Sequence, residues 1–207
     1  KTKIEYIPEE KIIELSNSIY NRIKKDSKTL KYFITSEELI YFIKQTYNFD
    51  VLFENLSYYT FSEQYKGMVD YKNRIIYISP EENEHSVKFS ISHELSHIVL
   101  HKELLEAESD SFMYFYKSTK ESSRMETQAN LLACYILLPF KQFEIEFLKL
   151  IKKYNVSPRS NYYLYLDNQK VNQQQFFNIT DELIKIFDVS RLQIKTVLIN
   201  QGWLKTP

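Results

Sequence analysis

His93-Glu94-Leu95-Ser96-His97 is an H-E-x-x-H pattern set inside the segment from Val87 to His101. On a helix, side chains four apart share a face, so both imidazoles can reach one zinc ion. The glutamate beside the first histidine can then take a proton from water that the ion holds. The chemistry this spacing points to is metal-assisted hydrolysis, with His93 and His97 as ligands and Glu94 as the general base.

Two histidines do not complete such a site. A third protein ligand is needed, with the fourth position left to water. His101 shares the face of His97, but at a rise of about 1.5 Å per residue it stands about 12 Å along the axis from His93. A straight helix cannot bring all three to one ion, and the glycine turn that would fold a later histidine back is missing. His101 therefore reads as a packing or helix-end histidine, and His85 points elsewhere on the helix surface. The better candidate is Glu126, in Arg124-Met125-Glu126-Thr127-Gln128-Ala129-Asn130, near the start of a second helix. Asn130, one turn further on, can hydrogen-bond the free nitrogen of a ligating imidazole and fix the ring. Ala129 and Ala133 are small enough to let the two helices approach. Alone, Glu126 would read as a carboxylate complementing a helix N-terminus; beside the histidine pair, the ligand reading is the stronger one.

These residues need elements to hold them. Residues 8–25 and 36–46 read as amphipathic helices: Ile12, Leu15, Ile19 and Ile23 line the first, and Thr35 or Ser36 ahead of Glu37-Glu38 opens the second. From Phe49 to Pro80 the texture is that of strands. Val51, Phe53, Tyr59 and Phe61 mark one, and 67–71 and 74–78 form a hairpin turning at Lys72-Asn73. Helix resumes over 86–105, which carries the histidines, and over 124–138, stopped by Pro139, with a polar loop at 106–123 between them. A further helix is expected over 141–154 and a loop or irregular insertion over 157–175. The chain then ends in a helix-turn-helix at 180–204, with Asp188-Val189-Ser190 at the turn and Gly202 past the last helix. The expected fold class is α+β: a small twisted sheet packed on the active-site helix, helices before it and a helical pair after it. The division expected is a peptidase-like domain at 1–140 and a helical segment at 141–207.

Composition narrows the function. Among 207 residues the basic and acidic side chains balance at 27 each, so no global field recruits nucleic acid or anionic lipid. The 17 tyrosines are scattered rather than gathered on a basic background, which argues against a base-stacking surface. Over 178–207, Lys185, Arg191, Lys195 and Lys205 stand against Asp181, Glu182 and Asp188, too small an excess for a DNA reader. The apolar run Leu131–Phe140 is half a membrane span and holds a proline, so no membrane association is expected. No signal-peptide pattern opens the chain, and Cys134 is the one cysteine, so a reducing cytoplasm is the expected compartment.

The stretch from Lys88 to His101, together with Glu126-Thr127-Gln128-Ala129-Asn130-Leu131-Leu132-Ala133 and Leu137-Leu138-Pro139, resembles the signature of the ImmA/IrrE metallopeptidases. The strand section ahead of the motif has that family's layout, and Leu183–Leu204 resembles its small helix-turn-helix-like end. The chain departs from the pattern at Ser92, where alanine is common, at Ser96, where glycine is usual, and at Gln128, where a second glutamate is common. The resemblance implies a zincin-like core with Zn2+ on His93, His97 and Glu126. It also implies a protein substrate: a Cro/C1-type helix-turn-helix repressor, cleaved to relieve repression. Two other readings compete with a peptidase. One is a metal-binding anti-repressor that acts by protein–protein binding without cleavage. The other is a transcription factor that reads DNA with its terminal helices. The donor for a developing oxyanion is left open between Tyr114, Tyr116 and other residues.

Overall fold

The computed structural model describes residues 4–25, 27, 31–56, 66–80, 83–107, 120–158 and 161–207. Pro8 opens α1 (Glu9–Lys25), its carbonyl taking the amides of Lys11 and Ile12. Ile12, Ser16, Ile19 and Ile23 form the buried stripe, while Leu15 is half-buried at its margin. Helix α2 (Ser36–Tyr47) begins with a reciprocal cap: the Thr35 hydroxyl accepts from the Glu38 amide, and the Glu38 carboxylate accepts from the Thr35 amide. Asn48 ends it in the left-handed conformation, φ 57°.

Three short strands follow: β1 (Asp50–Phe53), β2 (Gly67–Asp70) and β3 (Ile75–Ile78). They form one sheet in the order β1-β3-β2, with β1 parallel and β2 antiparallel to β3. The first strand runs only to Phe53; Tyr59 and Phe61, expected to continue it, lie outside the described residues. The hairpin pairs Asp70 with Ile75, so its turn is Tyr71–Arg74 rather than the two-residue Lys72-Asn73. A two-residue turn of the favoured kind needs positive φ at both central residues and therefore favours glycine. The longer turn needs it once, at Arg74 (φ 58°), and the Asp70 carboxylate ties it down by accepting from the Asn73 amide and side chain.

Helix α3 (Glu84–Ala107) carries the histidine motif and is covered on nearly every side. The sheet, through β2 and β3, lies on one side, α2 on another, and α4 (Lys120–Leu137) along a third. Val87, Ile91, Leu95 and Ile98 enter the core, as their spacing predicts. The contact with α4 is lined by small groups. Ala129 and Ala133 are fully buried, and so are Ser92 and Ser96. The Ser96 hydroxyl bonds the Ser92 carbonyl at 2.7 Å, and the Ser92 hydroxyl reaches the Ala133 carbonyl at 3.4 Å. Both serines thus satisfy their polar atoms without holding the helices apart.

Pro139 breaks the chain between α4 and α5 (Phe140–Lys153). The segment 157–175, expected as a loop, is partly regular: β4 (Leu164–Tyr165) is followed by α6 (Lys170–Phe187), which absorbs its last six residues. The polar composition of 168–175 conceals a helix that is polar on one face only. Asn172, Phe176, Ile179, Thr180, Leu183 and Phe187 form a single buried stripe. Asp167 holds the start of α6, accepting from the Gln169 amide and the Asn172 side chain at 2.9 Å each. Asp188 turns left-handed (φ 51°), and Ser190 with Gln193 caps α7 (Arg191–Asn200) reciprocally. Gly202 takes φ 68° and leads to β5 (Leu204–Lys205), which pairs parallel with β4. One buried cluster runs through the molecule, from Ile12 and Leu39 through Ile76, Leu95 and Leu132 to Phe143, Leu183 and Val197. The fold is mixed α+β, helix-rich, with a small sheet beneath the motif helix, as the sequence predicts.

Candidate metal centre

The i, i+4 spacing on α3 and the close approach of α4 bring three expected ligands together. Nε2 of His93 and Nε2 of His97 lie 3.1 Å apart. The Glu126 carboxylate straddles them, one oxygen 3.2 Å from His93 Nε2 and the other 3.3 Å from His97 Nε2. Among the described residues this is the group of His, Cys, Asp and Glu side chains that converges tightly enough to hold a metal ion. The spacing fits such an ion: ligands about 2.0 Å from zinc in a tetrahedral shell stand about 3.3 Å from one another. Two imidazoles and one carboxylate are also the donor set of an open, three-ligand zinc site.

The charges agree with that arrangement. Burial alone would raise the Glu126 carboxyl, but hydrogen bonds from His93 and His97 together outweigh it and hold it far below the usual carboxylate range. Burial works to lower His93; the Glu126 hydrogen bond and the charges of Glu94 and Glu126 reverse this, and the imidazole is raised. Asn130, exposed one turn beyond Glu126, acts on His93 in the same direction. It makes no hydrogen bond to His93 Nδ1, which is buried without a partner among the described residues.

Glu94 lies 6 % exposed beside the cluster. Its burial raises the carboxyl above the ordinary range, with Glu126 acting the same way and the two histidines opposing. The first residue of β2 rests directly on it. A Cβ at Gly67 would stand 2.5 Å from Glu94 Oε1 and 2.8 Å from its Cγ, distances that atoms do not adopt. Gly67 is one of only two glycines in the chain, and a glycine inside a strand marks a close approach. The glycine marks a close approach without naming the side chain that makes it.

His101 is not merely a packing residue. It is 2 % exposed, with Nδ1 3.2 Å from Nδ1 of His97 and Nε2 3.1 Å from Oε1 of Gln128. Burial, reinforced by His97, lowers its pKa to about 4, so it is neutral under ordinary conditions. Gln128 donates its Nε2 to the Glu5 carbonyl at 2.9 Å, and Arg124 donates to the Ile4 carbonyl at 2.8 Å. His85 lies within α3, away from the cluster. Its Nε2 is 2.9 Å from Asp188 Oδ1, and Lys88, 1 % exposed, gives its ammonium to the Asp188 carboxylate and carbonyl. This clamp fixes the start of α3 to the turn between α6 and α7. Tyr114 and Tyr116 lie outside the described residues.

The Peptidase_M78 family model, described as IrrE N-terminal-like domain, matches residues 48–187, two thirds of the chain and the whole of this site. The chain belongs to that family. No curated protein matches the sequence. A solved structure, a Mycobacterium tuberculosis transcriptional regulator, superposes with a TM-score of 0.49 at 12 % identity, covering 91 % of this chain. The chain spans about half of that protein's length, 51 %. No helix among the described residues is long and apolar enough to cross a membrane.

Proposed function

We propose that this chain is a zinc-dependent endopeptidase that acts in the cytoplasm on a helix-turn-helix repressor of the Cro/C1 type. The observation that carries the hydrolytic reading is the convergence of His93, His97 and Glu126 with the buried Glu94 carboxylate beside them. His93, His97 and Glu126 would hold the ion. When bound, zinc supplies a Lewis acid for the scissile carbonyl and an acidified water. Glu94, buried beside the three ligands, would take the proton of the attacking water. The same carboxyl returns that proton to the leaving amine. Because β2 is an edge strand among the described residues and starts against Glu94, an extended substrate can add to it and bring its backbone past the base. The repressor as substrate rests on the family resemblance, and the near-neutral α6–α7 segment suits a protein partner better than DNA.

The test is cleavage of a co-produced repressor by wild type, Glu94→Gln and Glu126→Ala. Glu94→Gln is expected to keep its zinc and lose cleavage, and Glu126→Ala to lose both. Relief of repression by Glu94→Gln with the repressor intact would replace this reading with a binding-only anti-repressor.

A further inference from the structure

The hydrogen bonds behind His97 run in one direction. The Glu5 carbonyl can only accept, so the Gln128 amide must turn its nitrogen toward it and its oxygen toward His101. That oxygen accepts from Nε2–H of His101. A neutral imidazole protonated at Nε2 has a lone pair at Nδ1, and this atom faces Nδ1 of His97. His97 must therefore carry its own proton on Nδ1. Its Nε2, the nitrogen whose proton an ion would displace, is the one that faces His93 and Glu126. The reverse assignment would press the Gln128 oxygen against an unprotonated nitrogen in a buried site, leaving two acceptors without a proton between them.

We propose that the N-terminal segment, through Gln128 and His101, locks His97 in the one tautomer able to bind a metal ion, so that Ile4 and Glu5 are part of the metal centre. This rests on the metal-site reading above. It also accounts for the amide at position 128. A glutamate could accept from His101 but would oppose the Glu5 carbonyl, whereas glutamine accepts on one side and donates on the other. The carbonyl of Glu5 thus sets the direction of the amide, and the amide sets the direction of every proton after it. Arg124 supports the same segment by holding Ile4, a buried residue, at its carbonyl. Were the segment to lift, the amide could turn over, present its nitrogen to His101 and invert the chain, fixing the proton of a neutral His97 on its ligand atom.

The test reads the tautomer and the metal separately. In the metal-free full chain at mildly alkaline pH, 15N-detected spectra should show His97 protonated at Nδ1. His101→Leu and, independently, Gln128→Met should lose that preference. Zinc affinity, measured by chelator competition, should weaken in each by about 10- to 100-fold. Arg124→Met, which loosens Ile4 without touching the chain, should give a mixture of tautomers. The same substitution beside Gln128→Glu should not, since a carboxylate cannot turn over into a donor. A wild-type His97 without a proton at Nδ1 overturns the proposal, as does a folded Gln128→Met with unchanged tautomer and zinc affinity. A wild type with the expected tautomer that binds no zinc supports the lock and removes the metal reading alone.

Discussion

Gly67→Ala probes the base without touching a ligand. The added Cβ would lie 2.5 Å from Glu94 Oε1, 2.8 Å from Cγ and 2.9 Å from Cδ, whereas ordinary contact begins at 3.4 Å. One side must therefore yield by about 0.9 Å at the carboxylate oxygen. Gly67 is held in register opposite Ile78, so the shift falls on the buried Glu94 side chain. A displacement of about 1 Å at a catalytic group costs on the order of 100-fold in rate, or about 2.7 kcal/mol of transition-state stabilisation. The ligands come from α3 and α4 and not from β2, so zinc content should stay at the wild-type level. The assay is the rate of repressor cleavage at saturating substrate, set beside the metal content of the same preparation. If Gly67 acts through Glu94 alone, adding Gly67→Ala to Glu94→Gln should lower the residual rate no further. A Gly67→Ala enzyme within twofold of wild type would refute the reasoning. So would one whose lost activity is matched by lost zinc, since the strand would then be supporting the ligands.

Acid should weaken the metal-free protein through His101. Its folded pKa of about 4 lies below the unfolded 6.5, so the stabilisation is complete above the unfolded value and is lost as pH falls toward 4. Between pH 7.5 and 5 this amounts to about 2 kcal/mol. His93, raised in the folded state, works in the opposite sense, so the measurement is the difference in urea unfolding between wild type and His101→Gln across that interval. An equal pH dependence in the two would show that burial does not depress His101. The clamp at Asp188 should be asymmetric. Asp188→Asn, which preserves a residue tolerant of φ 51° and the carbonyl that Lys88 also bonds, removes the counter-charge of an ammonium that is 1 % exposed and should cost about 3 kcal/mol. Lys88→Met leaves a carboxylate that is 41 % exposed and still has His85, and should cost about 1 kcal/mol. Equal losses in the two variants, by denaturant unfolding, would contradict that account.

What could be read from the sequence was what a single element fixes. Helical periodicity places His93 and His97 on one face and puts Val87, Ile91, Leu95 and Ile98 into the core, and Thr35 or Ser36 ahead of two glutamates marks the start of α2, whatever the rest of the chain does. Polar composition misled where only one face carried the signal. Gln173, Gln174 and Gln175 suggested a loop, while Asn172, Phe176 and Ile179 were already at the spacing of a buried stripe. Contacts between elements had no such local mark. Gly67 touches Glu94 across 27 positions of chain, and nothing near Gly67 says which side chain needs the space.

His101 shows how one rule yields two answers. The axial rise that sets it too far from His93 to share an ion also sets it one turn from His97, where its ring meets the nitrogen that His97 does not turn toward His93 and Glu126. A histidine excluded from the ligands by distance is thereby placed to hold one of them, provided something beyond it fixes its own proton. That something comes from Gln128 on α4 and from the backbone of Glu5, more than 120 positions earlier in the chain. An amide at position 128 adds nothing to the site when ligands alone are counted. It becomes a requirement once the neighbour on its far side is a carbonyl, because only a group that both accepts and donates can stand between His101 and Glu5.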